Sequence, residues 1–206
     1  MQQATNNGLV AFKANETELI EHYAEKLVAI YQNTESRESG LNWYEHAREL
    51  AASIAAETGV SMKAAAAVIA VCSPNMRWES QVAYTAPLVR YLRAGGDPYG
   101  SQCPPAALYR TNIEKARRII FEGDLDAVRG EKVTAFYRNI IGDKSVVTLD
   151  VWAIRACIGR GADEKAIAPY TRGRKRLILE AAYHKAAALV GETVADFQAV
   201  IWCAVR

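Results

Sequence analysis

The stretch Met62–Cys72, MKAAAAVIAVC, limits the fold more than any other part of the chain. It carries one charge, Lys63, and beyond it every face of a helix would be apolar, so no side can be left in water. Ser61 stands where an N-cap belongs, and Pro74 cannot continue the helix. A helix that is apolar all round must be wrapped by other elements, and the rest of the chain supplies them as helices. Residues 16–33 place Leu19, Ile20, Tyr23, Leu27, Ile30 and Tyr31 at intervals of three and four, the stripe of an amphipathic helix. Residues 42–58 repeat the pattern with Trp43, Ala47, Leu50, Ala51, Ile54 and Ala55, and Gly59 suits the C-cap.

Further helices are predicted at about 77–93, 111–121, 131–141, 150–158, 173–190 and 193–205. A Gly- and Pro-rich break runs from Gly95 to Pro105. The strand-like run Val146–Leu149 is too short to found a sheet. No internal repeat, heptad array or low-complexity tract is present. The expectation is an all-α domain spanning 1–206, a compact bundle of about eight to ten short helices. A division into lobes 1–110 and 111–206 sharing one core is left open.

With 50% hydrophobic residues, global disorder is excluded. No run approaches the roughly 18 to 20 apolar residues of a membrane span. Met1–Asn7 lacks the basic and apolar regions of a signal peptide, which points to a soluble, cytoplasmic protein in a bacterium or a phage-infected cell. Cys72, Cys103, Cys157 and Cys203 lack the close spacing of a zinc knuckle or an iron–sulfur clamp. All four are expected as reduced thiols, with Cys72, Cys157 and Cys203 in the core and no metal or cofactor. The net charge of +2 conceals a split. Residues 110–206 hold 17 Lys and Arg against 12 Asp and Glu, and residues 1–109 hold 8 against 11. A basic C-terminal half points weakly to a polyanionic partner.

Four segments stand apart from generic bundle sequence. Cys72-Ser73-Pro74-Asn75 halts the apolar helix in a polar turn, where Ser73 and Asn75 either cap helices or project an amide toward a base edge. Trp78, one turn on, either fills the core or stacks on a base. On Lys115-Ala116-Arg117-Arg118-Ile119-Ile120, Lys115 and Arg118 share an edge that faces solvent or phosphate. Gly130 leaves backbone N–H groups open at a helix start, a seat for phosphate, and places Lys132 in a first turn where the helix dipole disfavours a cation. Asp150 opens the apolar helix of Val147-Thr148-Leu149-Asp150-Val151, as a plain N-cap or as a carboxylate at a pocket edge.

Taken in order, these segments resemble the helix-hairpin-helix DNA glycosylase superfamily, the group of endonuclease III and 8-oxoguanine glycosylase. The Ser73–Asn75 turn is similar to the family's turn whose amide wedges into DNA. Lys115–Ile120 is similar to its Lys-Ala-x-x-Ile-Ile helix. Gly130-Glu131-Lys132 resembles the hairpin end that bears a nucleophilic lysine. Val147–Val151 resembles the segment bearing the essential aspartate, and Lys132 and Asp150 stand 18 residues apart, as suits the family. The look-alikes with similar motifs are phage and actinobacterial proteins, and phage thymine-hypermodification enzymes (glutamyl- and putrescinyl-thymine pyrophosphorylases) belong to the same wider group.

Three departures accompany the likeness. Asp126–Gly130 stands where Leu-Pro-Gly-Val-Gly belongs. The short interval from Ile120 to Lys132 shortens or removes the helix before the hairpin. Trp152 replaces the usual histidine.

The resemblance implies a two-lobed helical fold with a degenerate hairpin and action on a damaged or modified base extruded from duplex DNA, without an iron–sulfur cluster. Asp150 and Lys132 are the implied catalytic residues. Ser73, Asn75, Trp78, Lys115, Arg129, Gly130, Arg155, Arg172, Arg174 and Lys175 are the implied DNA contacts. A base-hypermodifying transfer on the same scaffold and a non-catalytic DNA-binding role are the alternatives.

Overall fold

The computed structural model describes residues 11–206, and the reading of Met1–Asn7 lies outside the described residues. Among them the chain forms eleven α-helices and no strand. They are α1 (Ala14–Asn33), α2 (Arg37–Leu41), α3 (Trp43–Thr58), α4 (Met62–Cys72), α5 (Trp78–Arg93) and α6 (Arg110–Glu122), followed by α7 (Glu131–Ile140), α8 (Val151–Ile158), α9 (Glu164–Ile167), α10 (Gly173–Val190) and α11 (Val194–Val205). The all-α expectation holds. The sequence pattern passed over α2 and α9, which are single turns too short to display a period. Val147–Leu149 is buried but pairs with no strand.

Local chemistry accounts for the boundaries. Ser61 Oγ accepts from Ala64 N at 3.1 Å and starts α4, and Ala64 through Cys72 are all buried. Gly59 closes α3 at φ 72°, the left-handed position that glycine takes without strain. Thr193 starts α11 by accepting from Asp196 N at 3.2 Å. The short interval between α6 and α7 holds one 3-10 turn, Leu125–Ala127, and no α-helix. All four cysteines are free thiols. Cys72 and Cys157 are buried as expected, but Cys203 is only half-buried, at the edge of α11.

Burial gathers into two cores, and they do not divide at residue 110. The first gathers α3 to α7 around α4 and takes Ala195 and Ala199 from α11. The second joins α1 to α8, α10 and the opposite face of α11, with Leu27, Ile154, Tyr183 and Phe197 at its centre. The N-terminal helix thus packs with the C-terminal ones, and α11 serves both cores. Among the described residues no helix is long and apolar enough to cross a membrane.

Candidate active site

The seam between the two cores brings Ser73, Lys132 and Asp150 to one pocket. On one side, α4 ends at Cys72 and Ser73 turns the chain, its Oγ donating to Ala70 O at 2.9 Å. Asn75 follows at φ 60°, the one residue other than glycine with positive φ among those described. Asn tolerates this region better than most residues, but holding it there has a cost that the surroundings must offset. Its Nδ2 donates to Tyr109 Oη at 2.7 Å on an exposed rim. Asn75 caps neither neighbouring helix, since α5 starts at Arg77 without any side-chain cap, and it is exposed at the rim with its amide N–H on Tyr109.

From α7, Lys132 reaches back to the same turn. Gly130, at φ 95°, is the N-cap of α7 and offers no side chain, so Lys132 occupies the first turn at the positive end of the helix. Its Nζ donates to Ser73 Oγ at 3.0 Å and lies 5.5 Å from the centroid of the Phe136 ring. Burial pushes the pKa of Lys132 down from 10.5, partly countered by the negative charge of Asp150.

Asp150 faces this lysine from the second core. One carboxylate oxygen accepts from Ala153 N at 2.8 Å and caps α8, while the other accepts from Trp202 Nε1 at 3.0 Å. Both readings of Asp150 hold at once: it is an N-cap and it lines a pocket. Burial raises its pKa above 3.8, against the backbone N–H of Ala153 and the charge of Lys132. Each shift has burial as its first cause, which disfavours the charged form of both groups.

An aromatic wall lines the pocket between them. Trp43 is the hub of that wall, its ring centroid 4.8 Å from Trp78, 5.5 Å from Trp202 and 5.9 Å from Phe136. Tyr44, Gln81, Thr148 and Gln198 complete the lining. A groove sharing Ser73, Trp78, Lys132, Asp150 and Trp202 with the pocket runs out past Asn75, Arg77 and Thr171. Asn75, Lys132 and Asp150 therefore line one cleft, with Trp78 at the junction.

Several residues singled out in the sequence lie elsewhere. Lys115 sits on α6 and donates to Asn112 Oδ1 at 3.3 Å, and neighbouring Arg118 is ion-paired with Asp124. Arg129 donates to Asp126 O at 2.7 Å. Arg155 covers Trp152, donates to Ala162 O and lines a separate depression with Lys26 and Arg160. Arg174 is held by both Glu16 oxygens, at 2.8 and 2.5 Å, and by Ala11 O, so it fastens α10 to the start of α1. Lys175 lies over the Tyr170 ring. Arg172 is exposed and makes no side-chain bond among the described residues, beside Thr171 of the groove.

The sequence reading missed Trp43, Tyr44, Gln81, Phe136, Thr148, Gln198 and Trp202. One signal was available: Gln198 and Trp202 stand at i, i+4 in a largely apolar α11, the spacing that puts two side chains on one face. Arg176, at the end of the basic run that begins at Arg172, is buried between Glu131 and Glu180 at 2.8 and 2.9 Å and ties α10 to the helix bearing Lys132, so it is not available to phosphate. Among the described residues no group of three or more His, Cys, Asp or Glu is placed to hold a metal ion.

Residues 11–206 match a family described as a family of unknown function, DUF7178. No curated protein and no solved structure matches the chain.

Proposed function

The chain belongs to the DUF7178 family, and from the chemistry of its cleft we propose that it is a DNA-base-processing enzyme of the helix-hairpin-helix glycosylase kind, acting on a base turned out of the duplex. The observation that carries the reading is the meeting of Lys132 and Asp150 in one aromatic pocket beside the exposed Asn75. An enzyme that works on a base must take it out of the stack, and the extruded ring needs flat apolar walls and a residue to fill the gap it leaves. Trp43, Trp78 and Trp202 supply the walls, and Asn75 is positioned to enter the duplex.

In excision, the bond between sugar C1′ and the base nitrogen breaks with its electron pair leaving on the base. The new bond to C1′ comes from water or from Lys132 Nζ. Asp150 stabilises the positive charge that develops on the sugar and accepts a proton from the nucleophile. Desolvation of Lys132 favours the neutral amine that such an attack requires.

The test is strand cleavage by hot alkali after incubating wild type and Asp150→Asn with duplexes carrying damaged or hypermodified bases. Asn keeps the cap on Ala153 with its one acceptor oxygen, while its amide nitrogen faces Trp202 Nε1–H, so the charge and that one bond are removed together. Wild type is expected to leave alkali-labile sites and Asp150→Asn to leave at least about a hundredfold fewer, in line with the loss of a positioned general base. Equal activity would remove the catalytic role of Asp150. With borohydride, a covalent adduct that vanishes in Lys132→Ala assigns the nucleophile.

A second reading, group transfer to a base without excision, is favoured by the reduction of the α6–α7 connection to a single 3-10 turn. That change leaves fewer backbone N–H groups to clamp a duplex. It predicts an Asp150-dependent change in base mass with no alkali-labile site.

A further inference from the structure

Gln81 lines the aromatic pocket from α5, is 1% exposed, and leaves its Oε1 without any hydrogen-bond partner. The orientation of this amide is fixed by its other end. Nε2 donates to Ala106 O at 2.8 Å and to Cys72 O at 3.3 Å. Both partners are carbonyls and can only accept, so the nitrogen must face them and the oxygen must be the free end. A buried acceptor with no donor is a standing cost to the fold, and few native side chains carry one without a reason. Joining the end of α4 to the segment at Ala106 does not supply that reason, because Nε2 alone performs it.

We propose that Gln81 Oε1 reads the ligand, accepting a hydrogen bond from an N–H on the edge of a nucleobase stacked among Trp43, Trp78 and Trp202. The class of ligand is thereby narrowed. The pocket takes a flat heteroaromatic ring that bears a donor on its pairing edge, such as a ring imide or an exocyclic amine. It rejects a ring whose donor has been alkylated or removed, since such a ring leaves the buried amide oxygen unpaired. Discrimination of this kind is strong where a site is built around a hydrogen bond, and weak where only shape distinguishes two ligands. The inference rests on the reading of the cleft as a base pocket, but it concerns free bases as much as DNA.

Three tryptophans in the wall make intrinsic fluorescence a direct probe of occupancy. The experiment titrates the full chain with two pairs of bases capped by methyl at the sugar-bearing nitrogen: 1-methyluracil against 1,3-dimethyluracil, which blocks the donor, and 9-methyladenine against 9-methylpurine, which deletes it without adding bulk. Saturable quenching by a parent base, with its donor-less partner about tenfold weaker or worse, is the expected result. In Gln81→Met the gap should fall below about threefold, with the parent base losing affinity and the partner base keeping it. Equal affinities within both pairs in wild type overturn the proposal, as does a gap that survives in a folded Gln81→Met. Absence of quenching by any of the four bases overturns it as well. If the variant does not fold, the 9-methyladenine–9-methylpurine pair in wild type decides alone. Discrimination among free bases by a protein that neither binds nor alters a duplex would leave Gln81 as the reader and defeat the DNA reading instead. Processing of a duplex without discrimination would do the opposite.

Discussion

Lys132 is held in place by bonds and penalised by burial at the same time. Its ammonium donates to Ser73 and lies near the Phe136 ring, yet desolvation drives its pKa below 10.5. A residue kept against its own stability is the mark of a group retained for chemistry. Lys132→Met keeps the length of the side chain and discards the charge. It is expected to raise the stability of the fold by about 1 kcal/mol, or 2–4 °C in Tm for a chain of this size. The pH dependence gives the prediction a sign. With its folded pKa depressed, Lys132 binds less proton in the native state than in the unfolded chain between that value and 10.5. Wild-type stability therefore rises with pH through this window, and the advantage of the variant is largest below it. Thermal unfolding at pH 7 and pH 10 checks this, and a gap that widens at pH 10 would contradict the assignment of burial as the dominant cause. At this scale the sequence was legible where a residue broke a local rule. Lys132 was a cation at the wrong end of a helix, and Asp150 was a charge opening an apolar one. Gln81 broke no local rule, because its unpaired oxygen is defined only by where α4 ends and where the chain returns at Ala106.

The helices themselves were legible to within a residue or two, since apolar periodicity, Ser61, Gly59 and Pro74 are all local signals. What periodicity does not encode is which faces meet. The small helix α2 has no amphipathic period and escaped notice, yet it lies directly against α11, and Gly40 makes that approach close. A Cβ on Gly40 would stand 2.4 Å from Val200 Cα, a backbone atom that cannot swing aside. Gly40→Ala is thus expected to cost more than about 2 kcal/mol by forcing two elements apart, despite the higher helix propensity of alanine. The measurement is chemical unfolding followed by tryptophan fluorescence. Because α11 also carries Trp202 and its bond to Asp150, the folded variant should show altered Trp202 emission and reduced activity. A neutral or stabilising Gly40→Ala would mean that α2 can slide on α11, and that the position of Trp202 does not depend on this packing.

Across the whole molecule, the charge excess of the C-terminal half is less available than its count implies. Arg118, Arg138, Lys144, Arg174, Arg176 and Arg206 each meet a carboxylate. Sequence counts charges without their partners, and for Arg174 and Arg206 those partners, Glu16 and Glu79, come from the other half of the chain. The same long-range folding places α1 in the second core, which no local pattern foretold. What remains at the mouth of the cleft is Arg77, which lines the groove, and Arg172, next to groove residue Thr171. Both are exposed and without a side-chain bond among the described residues. If a duplex lies along this groove, these two neutralise phosphates and the bound arginines do not. Each phosphate contact releases condensed counterions, so the slope of log affinity against log salt falls by about 0.9 per contact removed. Arg77→Ala and Arg172→Ala should each lower that slope by about one for a short duplex, with Tm unchanged. Arg174→Ala should leave the slope alone and lower Tm, because it severs the bidentate pair that fastens α10 to α1. A flat salt response in wild type would remove DNA as the partner. A slope that responds to Arg174 but not to Arg77 would move the binding face away from the cleft, and with it the claim that Lys132 and Asp150 meet a base there.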